Sequence, residues 1–519
     1  MQAAIEILWV DDEIEFLKSH ILFLETKGYK VITANSGIDA LEILKKRQVD
    51  VIFLDENMPG MTGLEFLQRL KLLLNETPVV MITKSEEEHI METALGNNIR
   101  DYLIKPVNPN QILMSLKKIL DHRKLISQAT IEEYQRSFRE LGNSIYNANT
   151  FEDWVQVYKR LTYWENSLQQ WLGRNEIVEI LQMQKETANT EFAKFIKKNY
   201  KGWFTGTVKD VPVLSPQLLR HYFFPLLSQP KMVLLVIDNL RYDQWIALKP
   251  YFQKFYKIEQ EEIYCSILPT ATQYARNALF SGLMPESIRT LKPDLWRDET
   301  DDGLKNEFEK ELFQQYLSRN GIKIPFLFEK ATNMKSMKRI DENPKRFLEQ
   351  PLSVLVYNFV DILSHARTDV DMVKELASNE AAYRNLTKQW FEQSALHRLI
   401  EYFAEHQVHL FVTTDHGSIK VSNPVKIVGD RNTSTNLRYK YGKNLNCESN
   451  DVFEISKPEE VGLPRFNVSG TYIFALRNQF FGYPNNYNHY VNYYKDTFQH
   501  GGISMEEMLI PAVYMKPVL

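Results

Sequence analysis

Three aspartates and three histidines between residues 238 and 500 stand at or just after strand-like runs, and both residue types bind divalent metals. Residues 410–417 read LFVTTDHG, an apolar and β-branched run that ends in Asp415 and His416 before a glycine. Residues 233–238 (VLLVID) end in Asp238; residues 354–360 (VLVYNFV) lead to Asp361, with His365 four positions on; residues 498–502 (FQHGG) carry His500. Buried strands of an open α/β sheet deliver such residues to one edge, where folds of this class keep their active sites. Carboxylate oxygens and imidazole nitrogens together suit two divalent ions, zinc ahead of manganese. Residues 266–285 (SILPTATQYARNALFSGLMP) supply a nucleophile, since Thr272 stands where a turn gives way to a helical pattern of Tyr274, Ala278 and Leu279. A hydroxyl there can lose its proton to a metal while the helix amino terminus accepts a phosphate.

A second constellation occupies the first 122 residues. Short strands are expected at 5–10, 31–34, 51–55, 79–83 and 101–104, each followed by a helical segment, which predicts a parallel five-stranded sheet. The loops after the first, third, fourth and fifth strands then converge, bringing Asp11, Asp12, Asp55, Thr83 and Lys105 to one cleft. Three carboxylates in one cleft repel unless a hard cation sits among them, and Mg²⁺ fits. The lysine and the hydroxyl beside them complete an anion site for a phosphoryl group.

The elements that must position these residues divide the chain into three parts. A length of 519 residues exceeds one ordinary domain at roughly 150 residues each. Boundaries are expected at 1–122, 123–209 and 210–519. Between 123 and 199 glycine and proline nearly vanish and apolar residues fall at helix spacing in three stripes, with breaks near 142–150 and 173–175. A three-helix bundle follows. Its aromatic stripe of Trp154, Tyr158, Trp164 and Trp171 is expected to pack between helices. No helix-turn-helix with a basic face is present in the pattern, so a DNA-binding output is not expected.

Composition narrows the class further. With 44% hydrophobic and 25% charged residues and a net charge of -4, the chain is globular and lacks the basic excess of a duplex-DNA binder. Two cysteines, Cys265 and Cys447, stand far apart, so a reducing compartment is expected and a disulfide framework is not. No apolar run approaches the about 20 residues needed to cross a bilayer, and no signal-peptide core is present, so a cytoplasmic protein without membrane insertion is expected.

The first segment closely resembles a two-component receiver domain: paired acids after the first strand, DENMPGMTG after the third, Thr after the fourth and Lys-Pro after the fifth. The resemblance implies a CheY-like doubly wound fold and Asp55 as phosphoacceptor. It also implies Mg²⁺ on Asp11, Asp12, Asp55 and the carbonyl of Asn57, phosphoryl contacts from Thr83 and Lys105, and Tyr102 moving with Thr83. From about Met232 onward the order of parts resembles the alkaline phosphatase superfamily, and within it the PglZ-type domain. That implies one metal on Asp238, Thr272, Asp415 and His416, and a second on Asp361, His365 and His500.

The chemistry so implied is in-line displacement at phosphorus, with two metals roughly 3.5–4 Å apart clamping the attacking and leaving oxygens. Thr270, the earlier threonine of the run, is given a structural role. Diesterases of the superfamily often carry Asn where this chain has Ala275, so Arg276 or Asn277 would take the phosphate contact or lie on the helix surface. Residues 431–444 (RNTSTNLRYKYGKN) interleave Arg431, Arg438, Lys440 and Lys443 with Tyr439 and Tyr441, as a phosphate-holding, base-stacking site would, or as a solvated lid loop would. The three-part layout resembles the PorX-like response regulators of Bacteroidetes. It implies a sensor histidine kinase as phosphodonor, phosphorylation-dependent homodimerisation, a role in type IX secretion and gliding, and secretion-machinery or sigma-factor proteins as partners. The expected activity is a zinc phosphodiesterase on nucleotides or short oligonucleotides; the alternatives are a catalytically minor adaptor and a phosphomonoesterase.

Overall fold

The described residues of the computed structural model are 5–72, 77–84, 99–169, 175–298, 301, 303–369, 379–430, 433–447, 452–484 and 487–518; side chains at 45, 71–72, 121–131, 169, 175–176 and 365–369 fall outside them. They form two compact units, Met1–Glu133 and Tyr134–Leu519.

In the first unit, strands β1 (Glu6–Val10), β2 (Lys30–Ala34), β3 (Val51–Asp55), β4 (Val79–Thr83) and β5 (Ile99–Ile104) pair in parallel in the order β2-β1-β3-β4-β5. That order is the flavodoxin-like doubly wound arrangement. Period-two alternation feeds both faces, with Leu8, Val10, Ile52 and Leu54 in one core and Ile7, Trp9, Val51 and Phe53 in the other. Helices α1 (Lys18–Thr26), α2 (Gly37–Lys46) and α3 (Gly63–Leu72) follow the first three strands. The helical segment expected after β4 lies outside the described residues.

Helices α4 (Pro109–Asn147), α5 (Phe151–Gln169) and α6 (Asn175–Thr205) come next. α4 runs through Gly142 to Asn147, past the expected start of the break. The chain turns only where Thr150 and Asp153 cap α5 reciprocally, Asp153 N–H to Thr150 Oγ1 at 3.1 Å and Thr150 N–H to Asp153 Oδ2 at 2.9 Å. Trp154, Tyr158 and Trp164 are buried, and Trp154 packs on Phe192 and Phe195 of α6, as a packing role for the stripe requires. Trp171 lies outside the described residues.

The large unit is built on a six-stranded sheet of β6 (Met232–Ile237), β7 (Tyr256–Cys265), β8 (Phe326–Ala331), β9 (Leu352–Tyr357), β10 (His409–Thr413) and β11 (Leu509–Pro517), in the order β7-β11-β10-β6-β9-β8. β10, β6, β9 and β8 are parallel, and β11 runs against both β10 and β7. β6, β9 and β10 are apolar along almost their whole length, as strands covered on both faces must be. Helices α7 (Tyr242–Phe252), α8 (Thr272–Ser281), α9 (Glu309–Arg319), α10 (Phe359–Asp369) and α11 (Glu380–Gln393) are those that bear on the site. No helix among the described residues is long and apolar enough to cross a membrane. Cys265 is a buried free thiol.

Candidate metal and phosphate sites

Strand register brings the first ligands together. β10 pairs with β6 so that Thr413 stands opposite Val236; Asp415 and Asp238 each lie two residues beyond that pair and leave the sheet at the same height. Their loops are tied to each other, with Leu240 N–H donating to Thr414 Oγ1 at 3.1 Å and Ser266 Oγ donating to the Asp415 carbonyl at 2.6 Å. Ligand atoms of Asp238, Asp415 and His416, all buried, lie within 4.8 Å of one another. Asn239, in a left-handed conformation with φ 63°, turns the chain immediately after Asp238. A side chain at Gly417 would run into the Glu506 carbonyl, so that position admits only glycine.

His416 Nδ1 donates to the Gly417 carbonyl at 3.1 Å, which leaves the lone pair of the neutral ring on Nε2. Nε2 faces Thr272 Oγ1 at 3.1 Å, Asp415 Oδ2 at 3.6 Å and Asp238 Oδ1 at 3.9 Å. Thr272 is the first residue of α8, where backbone N–H groups and the helix dipole favour an anion. Strand residues Ile419 and Lys420 pair with Gln499 and Phe498, and this short ladder sets the His500 ring on the His416 ring with centroids 4.2 Å apart. His500 Nδ1 donates to the Thr270 carbonyl at 3.1 Å. Thr270 Oγ1 donates to the Gly502 carbonyl and accepts from Gly501 N–H, so this threonine braces the His500 loop.

Asp361 departs from expectation in its setting. β9 ends at Tyr357, and Asp361 sits in the first turn of α10, not at a strand end; His365 follows one helical turn later on the same helix. α10 is held to the His500 strand by Ser364 Oγ, which donates to the Phe498 carbonyl at 3.2 Å. The His365 side chain lies outside the described residues.

Burial sets the charge state of the first trio. Burial raises the Asp415 carboxyl well above its ordinary range, reinforced by the neighbouring Asp238 charge. Burial acts the same way on Asp238, but the Arg276 guanidinium outweighs it and the carboxyl lies low. Burial also lowers His416, against the pull of Asp238. Arg276 Nη1 is 2.6 Å from Asp238 Oδ2 and 3.9 Å from Asp415 Oδ2. The Asp238 contact has the distance of an ion pair without the angle of a directed hydrogen bond, so both Asp238 oxygens and Asp415 Oδ2 are buried and accept none. Buried carboxylate oxygens in that state carry a large desolvation cost, which a cation removes. The donor set therefore fits a divalent metal, zinc by its mixture of oxygen and nitrogen.

Arg276 is not on the helix surface. It is fully buried, fixed from behind by Glu309 of α9, whose Oε1 accepts from Nε at 2.6 Å. Asn277 is also buried, and it turns away from the site to donate to the carbonyls of Gln273 and Lys305. The basic segment needs a fuller correction. Tyr439–Gly442 is a strand, not a lid; Arg438 is fully buried and grips Glu507 with Nε and Nη2 at 3.1 and 2.6 Å. Lys440 is buried as well and donates to the Ser434 carbonyl over the Tyr483 ring. Both cations are spent inside the domain. Arg431 lies outside the described residues.

In the first unit, ligand atoms of Asp11, Asp12 and Asp55 lie within 4.8 Å of one another. Lys105 Nζ bridges Asp11 Oδ2 and Asp55 Oδ2 at 3.0 Å each. Burial raises the Asp55 carboxyl, opposed by Lys105. Asp55 Oδ1 is buried without a hydrogen bond, the state expected of an oxygen kept for a cation or a phosphoryl group. The Asn57 N–H lies against Asp55; Thr83 closes β4 opposite Ile104 of β5, and Tyr102, two residues earlier on β5, has a buried hydroxyl that makes no hydrogen bond. Glu56, next in sequence, is pushed up to about 7 by burial and by the Asp55 charge.

Residues 218–515 match the family model of the BREX system PglZ alkaline phosphatase-like domain, 7–117 that of the response regulator receiver domain, and 124–204 that of the PorX response regulator linker domain. The transcriptional regulatory protein ZraR of Klebsiella oxytoca is 31% identical over 140 residues, 27% of this chain and 32% of the relative. The response regulator SaeR of Staphylococcus aureus is 30% identical over 135 residues, 26% of this chain and 58% of the relative. The chain thus spans about a third of the first relative's length and a little over half of the second's. Among solved structures, the Vibrio cholerae chemotaxis protein CheY4 is 33% identical, covering 22% of this chain and 99% of that one, with a TM-score of 0.22.

Proposed function

Since this chain belongs to the family of PglZ alkaline phosphatase-like proteins, and joins that domain to a receiver and a PorX-type linker, we propose that it is a response regulator whose output is a zinc-dependent phosphodiesterase. Its substrates are nucleotides or short oligonucleotides, its phosphoacceptor is Asp55, and its functional boundaries fall near residues 122 and 209. Its role is regulation of type IX secretion and gliding, a reading supported by the PorX-type linker.

One observation carries the reading: a hydroxyl at a helix amino terminus stands 3.1 Å from an imidazole that shares a buried pocket with three carboxylate oxygens, both of Asp238 and Oδ2 of Asp415, that accept no directed hydrogen bond. Asp238, Asp415, His416 and Thr272 would hold one ion, and Asp361, His365 and His500 a second. Bound divalent cations supply Lewis acidity, lowering the pKa of a coordinated hydroxyl and neutralising phosphate charge. The chain's own groups do the rest. Thr272 Oγ1 bonds to phosphorus as the ester P–O bond breaks, and water then hydrolyses the phosphothreonine to restore the hydroxyl. The first N–H groups of α8 bind the phosphoryl oxygens, and Arg276, one turn further along, faces the same pocket. In the receiver, Lys105 and Thr83 would contact the phosphoryl group on Asp55, and Asp11, Asp12, Asp55 and the Asn57 carbonyl would hold Mg²⁺.

Chelator-stripped protein should hydrolyse bis-p-nitrophenyl phosphate at background rate and recover on addition of zinc, with manganese a weaker substitute. A preference for the mono ester in the same assay would replace diesterase by monoesterase. Full activity after complete metal removal would refute the metal mechanism.

A further inference from the structure

A buried layer of charge lies directly behind the metal-site loops, and helix α6 of the linker is part of it. Lys185, 3% exposed, places Nζ 2.8 Å from Glu165 of α5, 2.5 Å from Glu380 at the start of α11 and 3.1 Å from Glu506. One turn further along α6, the Asn189 amide donates to both Glu506 oxygens, at 3.3 and 3.0 Å, and its carbonyl accepts from Met505 N–H at 2.9 Å. Arg241, three residues beyond Asp238, pairs with Asp243 and reaches Glu380 at 3.5 Å, with its guanidinium 5.3 Å from the centre of the Phe498 ring. Arg384 closes the layer between Asp243 at 2.9 Å and Glu165 at 3.9 Å.

This layer reaches the ligands through Glu506. Its carbonyl fills the space beside Gly417, whose own N–H donates to Glu507 and whose carbonyl holds His416 Nδ1. Arg241 packs on the same glycine from the Asp238 side. A buried ion network of this extent is expensive and seldom a net gain in stability. Fixing geometry is a use that offsets such a cost, because the orientation of a ligating histidine is set by what its other nitrogen meets.

We propose that Lys185 and Asn189 are positioning residues of the metal site, acting through Glu506 and Gly417 on His416, so that the linker helix is a structural member of the catalytic centre and not a tether to it. A displacement of α6 along its axis is then felt first at His416. The proposal rests on the reading of Asp238, Asp415 and His416 as metal ligands, and its test is built to fail separately from that reading.

The test compares full-length parent, Asn189→Ala, Lys185→Met and Tyr134→Phe. The last is a control in the same helical layer, whose buried hydroxyl donates to Gln184 at 3.1 Å away from the loops. Three quantities are read: melting temperature, zinc affinity by chelator competition, and amide exchange of the peptide covering residues 412–420. Asn189→Ala should weaken zinc binding by about 10-fold or more, the scale of a lost partner behind a metal ligand. Exchange at 412–420 should rise, also in metal-free protein, while Tyr134→Phe lowers the melting temperature without either change. Where Lys185→Met fails to fold, Asn189→Ala decides. Parent-like zinc affinity and exchange in Asn189→Ala would overturn the proposal. A parent that binds no zinc would refute the metal reading alone, and the exchange result would still decide whether α6 holds the His416 loop.

Discussion

Removing the Thr272 hydroxyl should separate metal binding from turnover, because the loops that carry Asp238, Asp415 and His416 are held by bonds that do not involve it. Their loops are braced by Thr414, Ser266 and Gly417. Thr272→Ala should therefore keep most of its zinc by calorimetry while diesterase turnover falls by about three orders of magnitude or more, as when a covalent nucleophile is deleted. Loss of zinc together with activity would make the threonine a structural ligand only. An adaptor role, by contrast, predicts that this variant keeps its partners and its phenotype. Asp238, Asp415 and His416 were legible in the sequence because each follows an apolar run, and a run's end is visible without knowing its neighbours. Glu309 was not legible: it fixes Arg276 from 33 residues away and sits in no pattern of its own.

At the scale of elements, the same limit explains the misreading of the basic segment. The strand Tyr439–Gly442 has four residues, too short for alternation to show, and Arg438 finds its acid 69 residues downstream at Glu507. A basic, aromatic stretch with distant partners reads as a surface from sequence, although it is interior. Arg438→Ala should then destabilise the output domain by about 3–5 kcal/mol, the cost of leaving a buried carboxylate without its cation, and lower the denaturation midpoint accordingly. An unchanged midpoint with weakened substrate binding would restore the ligand-binding role. The strands β3 and β4, by contrast, coincide with their expected bounds, since buried parallel strands are near-continuous apolar runs. The ion layer behind the site makes a second prediction. Burial raises the Glu380 carboxyl, but Lys185 and Arg241 outweigh it and bring it from 4.5 to about 2. A carboxyl lowered on folding contributes stability that is whole above its unfolded value and is lost as pH falls through the folded one. Glu165 is raised by burial and acts in the opposite sense. Glu380→Gln should flatten the loss of stability between about pH 4.5 and pH 2 in denaturant titrations; an unaltered slope would mean that Glu380 is not ionised in the folded protein.

For the whole molecule, phosphorylation in the first unit has to be connected with the hydrolytic site proposed in the second. Asp55 carries a buried oxygen that makes no hydrogen bond, Lys105 spans it and Asp11, and the Tyr102 hydroxyl is buried without one. A phosphoryl group adds charge and acceptor oxygens that Lys105 and Thr83 can take up, which changes the packing around β4 and β5. We expect that change to favour pairing of two receivers, so the parent protein with Mg²⁺ and a small phosphodonor such as acetyl phosphate should shift to a dimer by light scattering. Asp55→Ala should stay monomeric under the same conditions. Turnover supplies the second axis. If dimerisation displaces the linker helices, phosphodonor should change parent kcat and leave Asp55→Ala unaffected. If it alters only where the protein acts, dimerisation will proceed with kcat constant. A variant that dimerises without its phosphoacceptor would remove Asp55 from the switch, and the receiver would then be a scaffold for its neighbours instead of their signal.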